Sequence, residues 1–371
     1  MKLTIERAAL FRSLGHVQSI VERRNTIPIL SNVMLEVTDG RLGLTATDMD
    51  IAIVESVPAV IDTAGSTTAP AHTLYDIVRK LPDGAQIELD SGSDGKMTLR
   101  AGRSEFTLQT LPTEDFPQTD GGDLPHQFAL PANDLRGLID RTRFAISTEE
   151  TRYYLNGIFM HTTAGDSGDV MRSVATDGHR LARVEMPVPD GAAGMPGVIV
   201  PRKTVGELRK LIDEIGDDID IALSDTTVRF AFDNAVLTSK LIDGTFPDYE
   251  RVIPTGNDKS LNVDCRSFAD AVDRVATIST EKSRAVKLAA AGNNLILTAS
   301  SPDSGTAREE IEVDYDADAI EIGFNARYLL DIAQQIEGGE AEFVVADAAS
   351  PTIVRDSKDD SALYVLMPMR V

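Results

Sequence analysis

The sequence predicts an α+β protein made of three similar domains, each with two helices and about eight strands. Its 371 residues are too many for one ordinary hydrophobic core. Segments with helical spacing and segments with strand alternation follow one another in the same order three times. Equivalent landmarks return every 120–130 residues or so, which predicts domains at 1–120, 121–254 and 255–371.

Two sets of landmarks define this period. The second helix of each copy is predicted to start at Pro70, Pro201 and Asn325. A further proline closes each copy, at Pro117, Pro247 and Pro368. The spacings within both sets lie between 121 and 131 residues. Chance similarity among α+β domains is the alternative, and the agreement of independent landmarks favours a repeat.

The first copy sets the order of elements. Residues 7–21 place apolar side chains on one helical face, and a second helix follows Pro70 with apolar residues at i, i+3, i+4 and i+7. A Gly/Thr/Ser-rich stretch before Pro70 is predicted to be a turn. Strands are predicted from alternating residues at 33–37, 42–46, 51–53, 87–89, 97–99 and 106–108.

The two later copies repeat this order. Their helices are predicted to begin near 135, 201, 268 and 325. Their strands are predicted at 128–130, 158–160, 170–175, 219–223, 228–232, 236–241, 261–263, near 288, and at 295–297 and 311–313. Residues 121–123 are predicted to be a linker and the Gly/Pro-rich residues 189–197 a loop.

Composition narrows the class of protein. Hydrophobic residues make up 42% and charged residues 26% of the chain, as in soluble globular proteins. Cys265 is the only cysteine, which excludes an internal disulfide or thiolate metal cluster and indicates a reducing compartment. The sequence shows no signal peptide and no run of roughly 20 apolar residues for a membrane span. We expect a cytoplasmic protein without a metal or other cofactor.

The net charge of −23 is unevenly distributed. Taken alone, it argues against nucleic acid, because phosphates repel an acidic surface. The six predicted helices, however, hold 18 of the 36 Lys and Arg residues but only 13 of the 59 Asp and Glu residues. Good helix propensity is a simpler explanation, although it would enrich Glu in helices as well. If the helices share one surface, that surface can meet phosphates while the rest repels them.

Several motifs, spread along the whole chain, together resemble one known family. They are residues 26–30 (TIPIL), 152–157 (RYYLNG), 175–181 (ATDGHRL), 246–249 (FPDY) and 367–371 (MPMRV). By these motifs the chain resembles the β subunit of bacterial DNA polymerase III, the sliding clamp, from its first residue to its last.

The resemblance implies three clamp domains per chain and a homodimeric ring with helices inside and sheets outside. Such a ring would encircle double-stranded DNA without sequence specificity. It would act as a processivity factor, not as an enzyme. Its other partners would be the replicative polymerase α subunit, the clamp loader and other polymerases or repair proteins, bound through short linear peptides. Because topology retains the ring, inner contacts can be few and directed to phosphate.

The resemblance also implies DNA contacts at Arg24 and at Tyr153 and Tyr154, whose rings can stack on an unpaired base. The alternative for one of the tyrosines is a place in the core, since strands are rich in tyrosine. Two positions depart from the family pattern: His72 replaces Arg, and Glu149 replaces Gln and would repel phosphate. We therefore expect DNA binding to depend more on Arg202, Lys203, Arg209 and Lys210.

A second site implied by the resemblance is a groove for partner peptides, which we call the C-terminal groove. Leu, Val, Pro and Met would line it, with Arg and His at its rim. Its residues are Leu155, Thr176, Gly178, His179, Arg180, Leu181, Pro247, Arg251, Val252, Asn325, Tyr328, Val365, Met367, Pro368, Met369 and Arg370. Without the resemblance, the last residues would be interpreted as a buried C-terminal strand.

The dimer contact is predicted between the strand at 103–108 and the region 277–284 with the strand at 303–313. Phe106, Leu108 and Ile278 would be apolar anchors, flanked by Arg103 and Glu309. The acidic cluster usual in the family is thinned here by Gly305 and Thr306, so we expect a small contribution from charge.

No pattern in the sequence indicates catalysis. Asp177 and His179 are close in sequence, but a catalytic set needs convergent geometry that sequence proximity does not supply. A Gly-rich phosphate loop and a His-Glu-x-x-His metal motif are both absent from the sequence. Two alternatives to a clamp remain: a monomeric acidic hydrolase that uses this pair, and a repeat adaptor that binds peptides but not DNA. Solution mass with a hydrolysis assay tests the first, and retention on circular DNA tests the second.

Overall fold

The computed structural model describes residues 1–92, 94–118, 122–166, 168–214, 217–279 and 284–370. They contain six α-helices and 25 β-strands. The helices are α1 (Arg7–Ile20), α2 (Ala71–Lys80), α3 (Ala132–Asp140), α4 (Arg202–Ile212), α5 (Cys265–Ala276) and α6 (Ala326–Ala333). Part of the predicted linker at 121–123 and part of the predicted contact region 277–284 lie outside the described residues.

The chain forms two compact units. The N-terminal unit contains Met1–Arg136, Pro189–Pro196 and Lys203–Leu241, and the C-terminal unit contains the remainder. Each unit therefore draws on more than one of the three predicted repeats. Among the described residues, no helix is long and apolar enough to cross a membrane.

Two antiparallel sheets build the N-terminal unit. The smaller sheet has the order β5 (Val60–Thr63), β1 (Lys2–Glu6), β7 (Gln86–Ser91), β8 (Lys96–Ala101), β9 (Ser104–Gln109). The larger has the order β10 (His126–Pro131), β15 (Asp218–Leu223), β16 (Thr227–Ala231), β17 (Ala235–Lys240), β4 (Ile51–Pro58), β3 (Arg41–Thr47), β2 (Asn32–Thr38), β6 (Gly65–Pro70). Pairing of β17 with β4 joins the second repeat to the first. The predicted face of α1 is fully buried at Leu10, Leu14 and Val17.

The C-terminal unit has the same plan. Its larger sheet has the order β14 (Val198–Pro201), β11 (Gly157–Gly165), β12 (Gly168–Thr176), β13 (Arg180–Pro187), β25 (Asp359–Leu366), β24 (Thr352–Asp356), β23 (Glu340–Val345), β18 (Lys259–Asp264). Its smaller sheet has the order β21 (Gly305–Glu312), β20 (Asn294–Ser301), β19 (Ala285–Ala291), β22 (Ile320–Asn325). Here β13 pairs with β25 and joins the third repeat to the second.

The six predicted helices and their repeated order are confirmed. Side chains cap three of them. Glu6 accepts from the backbone N–H of Ala9 (3.0 Å) at α1, Asp264 from that of Ser267 (2.8 Å) before α5, and Asn325 from that of Arg327 (2.9 Å) before α6. The predicted turn before Pro70 is wrong, because these residues form β6 and pair with β2. Gly, Ser and Thr give no apolar alternation there. The sequence also does not predict β1, β5, β13, β14, β22, β23 and β24.

One turn occurs twice with the same hydrogen bonds, at 47–51 between β3 and β4 and at 176–180 between β12 and β13. In both turns the threonine hydroxyl donates to the backbone carbonyl four residues later, at 2.9 Å in the first and 2.7 Å in the second. In both, the aspartate accepts from the backbone N–H groups two and three residues later, at 2.8–3.0 Å. The Thr-Asp pairs at 47–48 and 176–177 therefore mark a structural repeat.

The central residue of this turn has left-handed backbone, with φ +81° at Met49 and +86° at Gly178. We expect Met49→Gly to raise the free energy of unfolding by about 0.5–1 kcal/mol, because relief of backbone strain exceeds the added entropy of unfolded glycine. Gly178→Ala should lower it by about 1–2 kcal/mol for the same reason. Urea unfolding of both variants measures the effects. A destabilised Met49→Gly variant would show instead that the methionine side chain contributes packing that exceeds the strain.

The ring of His16 in α1 lies between two carboxylates. Its Nδ1 is 2.7 Å from Glu55 Oε2, and its Nε2 is 3.0 Å from Glu214 Oε1. Glu55 also accepts from the hydroxyl of Ser13 (2.6 Å), and Glu214 pairs with Arg12. Burial acts to lower the pKa of His16, but the hydrogen bonds and charges of the two glutamates prevail and raise the pKa above its usual value of 6.5.

A raised pKa makes the folded chain bind this proton more tightly than the unfolded chain does. The stabilisation from His16 is therefore complete below pH 6.5 and is lost as pH rises through the raised value. We expect the free energy of unfolding to fall more steeply between about pH 6 and 9 in the parent protein than in His16→Gln. Urea titrations across this range compare the two. If the free energy of unfolding depends on pH in the same way in both proteins, His16 does not have the raised pKa inferred here.

Candidate functional site

Three residues predicted for the C-terminal groove belong to a packed apolar cluster within the C-terminal unit, which would be its floor. Leu155, Leu181 and Val365 are only 2–3% exposed. They pack in one cluster with Phe246 and Tyr249. These three residues are therefore core residues that lie beneath the surface, and they are not themselves exposed to a ligand.

The chain end lies beside this floor because of the register between β13 and β25, in which Leu181 is opposite Val365. Beyond β25, the backbone N–H of Met367 donates to the carbonyl of His179 at 2.9 Å. The N–H of Met369 then donates to a carbonyl of β22 at 2.8 Å. The side chain of Met367 is 39% exposed. The last residues are thus a surface segment with an anchored backbone and do not continue as a buried strand.

The segment 247–252 lies beside the same cluster, into which its Tyr249 packs, and it would form a wall of the groove. Val252 is 47% exposed, and Pro247 and Arg251 are also exposed. The guanidinium of Arg251 is 2.7 Å from the carboxylate of Asp248. Exposed apolar side chains beside an apolar floor are suited to receive an apolar side chain of a peptide.

Buried Arg172 on β12 holds this wall in place. Its guanidinium donates to the hydroxyl of Tyr249 (3.2 Å) and to the carboxylates of Glu250 (2.6 Å) and Glu185 (2.8 Å). Burial opposes the charge, but the hydrogen bonds to Tyr249 and Glu185 raise the pKa of Arg172, which keeps it charged. No pattern in the sequence indicates this role, since Tyr249 lies 77 positions further along the chain.

Arg180, which is predicted at the rim of the groove, is largely buried by its own unit. Its side chain is 7% exposed and pairs with the carboxylates of Asp177 (3.2 Å) and Asp331. It also donates to the carbonyl of Phe144 at 2.6 Å. Its guanidinium lies 4.4 Å from the ring centre of Tyr328, which stacks in turn on exposed His179. Arg180 therefore positions Tyr328, and most of its charge is compensated by Asp177 and Asp331.

A polar cavity of about 490 Å³ lies next to this arginine, within the C-terminal unit. Its lining includes His179, Tyr328, Glu149, Arg202 and Arg327. The structure thus brings predicted groove residues and predicted DNA-contact residues to one cavity.

The DNA-contact candidates on the segment 149–154 differ in exposure. Tyr153 is 53% exposed and meets Tyr154 edge to face, with ring centres 5.8 Å apart. Tyr154 packs against the apolar cluster of the groove, as the alternative for one tyrosine predicted. Glu149 pairs with Arg152 (2.8 Å), and this hydrogen bond lowers the pKa of Glu149. Arg152 also donates to the carbonyl of Asp177 (3.0 Å). Arg152 thus ties this segment to the turn at 176–180.

The DNA-contact candidates in the N-terminal unit differ in whether their polar groups already have partners within the chain. Arg24 is exposed and has no ion-pair partner within the described residues. His72 has Nδ1 at 2.9 Å from the side-chain oxygen of Gln18 and Nε2 at 3.0 Å from the carbonyl of Val21. Both ring nitrogens of His72 are therefore engaged at the end of α1.

Lys203 is neutralised by its own unit. Its Nζ lies 2.6 Å from a carboxylate oxygen of Glu22 and 2.5 Å from one of Asp48. Burial opposes the charge, but these two partners raise the pKa of Lys203. On the same helix, Lys210 pairs with Glu207 (2.8 Å), and Arg209 is also paired. Of the four cations on which DNA binding is predicted to depend more, three pair with carboxylates, and Arg202 has no ion-pair partner in the described part of the chain.

The residues predicted at the dimer contact differ in their exposure and in whether they already have partners. Arg103 is exposed, and Phe106 and Ile278 are half-buried. Leu108 is only 8% exposed within its own unit, so it is not the surface anchor that was expected. Glu309 already pairs with Arg274, whose Nε lies 3.0 Å away.

The pair Asp177 and His179 has no catalytic geometry. One carboxylate oxygen of Asp177 accepts from the backbone N–H groups of His179 and Arg180, and the other accepts from the guanidinium of Arg180. Asp177 thus serves the turn and does not orient the imidazole. In the part of the chain that is described, no three His, Cys, Asp or Glu side chains converge as metal ligands.

Family models match all three repeats. They describe the N-terminal, central and C-terminal domains of the DNA polymerase III beta subunit and match residues 1–120, 129–248 and 250–370. The chain belongs to the DNA polymerase III beta subunit family. Members of this family are sliding clamps, accessory processivity subunits that bind DNA and polymerase without catalytic activity of their own.

Individual sliding clamps are similar to this chain along its whole length. The beta sliding clamp of Caulobacter vibrioides is 58% identical and that of Escherichia coli K12 is 39% identical, each with 100% of both chains covered. A crystal structure of the Caulobacter crescentus clamp matches with a TM-score of 0.98, 58% identity and coverage of 100% of this chain and 99% of that one. The Bartonella birtlesii clamp, solved bound to griselimycin, matches with a TM-score of 0.97, 52% identity and full coverage of both chains.

Proposed function

We propose that two copies of this chain close head to tail into a ring around double-stranded DNA. Two open sheet edges carry this proposal. β9 is the last strand of the five-stranded sheet and β21 the last of the four-stranded sheet, and each has one neighbour within the described chain. Pairing β9 of one copy with β21 of the other covers both edges, which would otherwise invite aggregation.

At this junction Phe106 is the apolar contact that we expect to contribute most, since Leu108 is already buried. Arg103 is exposed and has no ion-pair partner among the described residues, so it is available to the other copy. The acids on β21 are partly neutralised, because Glu309 pairs with Arg274 and Glu310 with Arg308. The charge contribution to dimerisation is then small.

We further propose that the C-terminal groove binds short linear peptides of the replicative polymerase α subunit, the clamp loader and other polymerases or repair proteins. Exposed Val252 and Met367 beside the buried floor support this proposal. The backbone of the chain end is fixed by hydrogen bonds, which lowers the entropic cost of binding. Griselimycin in the related Bartonella and Pseudomonas clamps is consistent with a ligand site in such proteins.

For DNA, we propose that Arg24 and Arg202 contact phosphates and that Tyr153 stacks on an unpaired base. Arg24 and Arg202 are exposed and have no ion-pair partner among the described residues, whereas Lys203 has two carboxylate partners. Few contacts of this kind hold the ring loosely enough to slide.

Arg24→Ala and Arg202→Ala should each reduce the slope of log affinity against log salt by about 0.9, because each removes one phosphate contact. The measurement is fluorescence anisotropy of a linear primer–template at several salt concentrations. Arg41→Ala is the matched control, since Arg41 is an exposed arginine on β3 that bonds to Ser56. An unchanged slope in the double variant would reject these two contacts.

The experiment that tests the ring compares retention on DNA of two shapes. After loading by the clamp loader, the protein should stay on nicked circular DNA and leave the same DNA once it is linearised, because only a ring is held by topology. Equal loss from both would overturn the proposal. We place this activity in the cytoplasm, where the replicating bacterial chromosome lies and where a lone cysteine stays reduced.

A further inference from the structure

The N-terminal unit contains a cleft with the same construction as the C-terminal groove. In both units two repeats meet through one strand pair, β4 with β17 and β13 with β25. In both, the duplicated turn is held to the following repeat by one backbone bond. The N–H of Lys240 donates to the carbonyl of Asp50 at 2.8 Å, and that of Met367 donates to the carbonyl of His179 at 2.9 Å.

We call this space the N-terminal cleft. It has a volume of about 470 Å³ and is lined by Met34, Thr45, Val54, Glu114, Phe116 and Pro117, with Thr113 and Gln118. Met34, Thr45 and Val54 lie opposite one another across β2, β3 and β4. The same row in the C-terminal unit consists of Phe159, Val174 and Arg183. The side chains of this row are smaller in the N-terminal unit, which leaves room there for a side chain of a bound ligand.

Apolar surface is exposed at this cleft. Val54 on its floor is 40% exposed. Met49, outside the cleft lining in the turn between β3 and β4, is also exposed (51%), in a left-handed conformation that glycine occupies in the other copy of the turn. An exposed methionine in strained backbone is costly to the isolated chain, and such strain often marks a binding surface.

The charge at the cleft differs from that at the C-terminal groove. Glu114 lines the cleft and Asp115 follows it, and neither has an ion-pair partner within the described residues. In the wall of the C-terminal groove, by contrast, Asp248 and Glu250 are both paired with arginines. The N-terminal cleft therefore has one uncompensated carboxylate in its lining and a second on the exposed residue that follows, and it is complementary to a cation.

We propose that the N-terminal cleft is a second peptide-binding site, for a short extended segment with a Leu or Phe side chain next to Lys or Arg. The apolar side chain lies over Val54 and Met34, and the neighbouring cation meets Glu114 and Asp115. This site is separate from the C-terminal groove and does not depend on the function proposed for that groove.

The test uses the full-length protein labelled with ¹³C at its methionine methyl groups, because Met34 lines the cleft and Met367 reports on the C-terminal groove. The probe is the tetrapeptide acetyl-Lys-Leu-Phe-Lys-amide, and its control is acetyl-Glu-Leu-Phe-Glu-amide. We expect the cationic probe to shift the Met34 signal with a Kd of roughly 1 mM or tighter. The anionic control should bind the cleft at least about tenfold more weakly.

Two variants test the contacts. Val54→Lys should abolish the shift of the Met34 signal, and Glu114→Gln should weaken it about threefold, while a shift at Met367 stays as in the parent in both. An unmoved Met34 signal up to about 5 mM probe overturns the proposal. So do equal responses to the two probes, or a shift that survives Val54→Lys. A Met34 signal that changes on dilution of the protein alone would identify a second copy as the occupant and would also overturn it.

Discussion

A chain carrying Phe106→Glu will behave in solution as a monomer of 40.0 kDa and will dissociate from nicked circular DNA as readily as from linear DNA. Phe106 is half-buried on β9, the open edge of the five-stranded sheet. If this edge pairs with β21 of a second copy, the new carboxylate is buried without a partner, which costs several kcal/mol. We expect a dimer Kd at least about 100-fold weaker.

Light scattering after size exclusion measures the mass, and gel filtration of loaded circular DNA measures retention. Val60→Glu is the matched control, because Val60 is 68% exposed on β5, the opposite edge of the same sheet. That variant should remain dimeric and stay on circular DNA. If Phe106→Glu is still a dimer at nanomolar concentration, or if Val60→Glu also dissociates, β9 is not the closing edge. Urea unfolding of both variants excludes loss of the fold as the cause.

The elements that the sequence predicts well are those with a simple apolar period. The buried face of α1 and the alternating strands β2, β3 and β4 follow directly from that period. β6 fails because Gly, Ser and Thr fill it, and its place in the sheet comes from pairing with β2. β13 mixes arginine and glutamate with apolar residues, and it is a strand because β12 and β25 flank it. In such strands tertiary pairing decides the conformation.

Prediction of the functional residues from the sequence is limited for the same reason, because distant parts of the chain decide their surroundings. Family resemblance implied Arg180 as a groove residue, and the altered family positions led us to expect Lys203 as a DNA residue, but the ion-pair partners of both could not be predicted from the sequence. Asp331 lies 151 positions after Arg180, and Glu22 lies 181 positions before Lys203. Whether a cation is free depends on such distant carboxylates, since a pair within one protein leaves little charge for a phosphate. Arg24 and Arg202 are distinguished from Lys203 only once the fold is known.

Removal of residues 367–371 should weaken binding of a labelled peptide copied from the polymerase α subunit by at least about 100-fold, without unfolding the protein. Met367 supplies an exposed apolar contact, and its backbone is fixed to the carbonyl of His179. Strand β25 ends at Leu366, so the deletion removes no strand. Among the described residues of this segment, the deletion removes the backbone hydrogen bonds that Met367 and Met369 donate, at about 1–2 kcal/mol of stability.

The size of this effect decides what the buried cluster below the groove is for. Leu155, Leu181 and Val365 are packed core residues in any case, so their burial alone does not show that a ligand binds above them. Met367→Ala, which keeps the backbone bond, should cost about 5- to 20-fold, because it removes only the apolar wall. Dimer mass and retention on circular DNA should be unchanged in both variants, since neither touches β9 or β21. If the truncated chain binds the peptide within threefold of the parent, the cluster is structural and the partner peptides bind elsewhere.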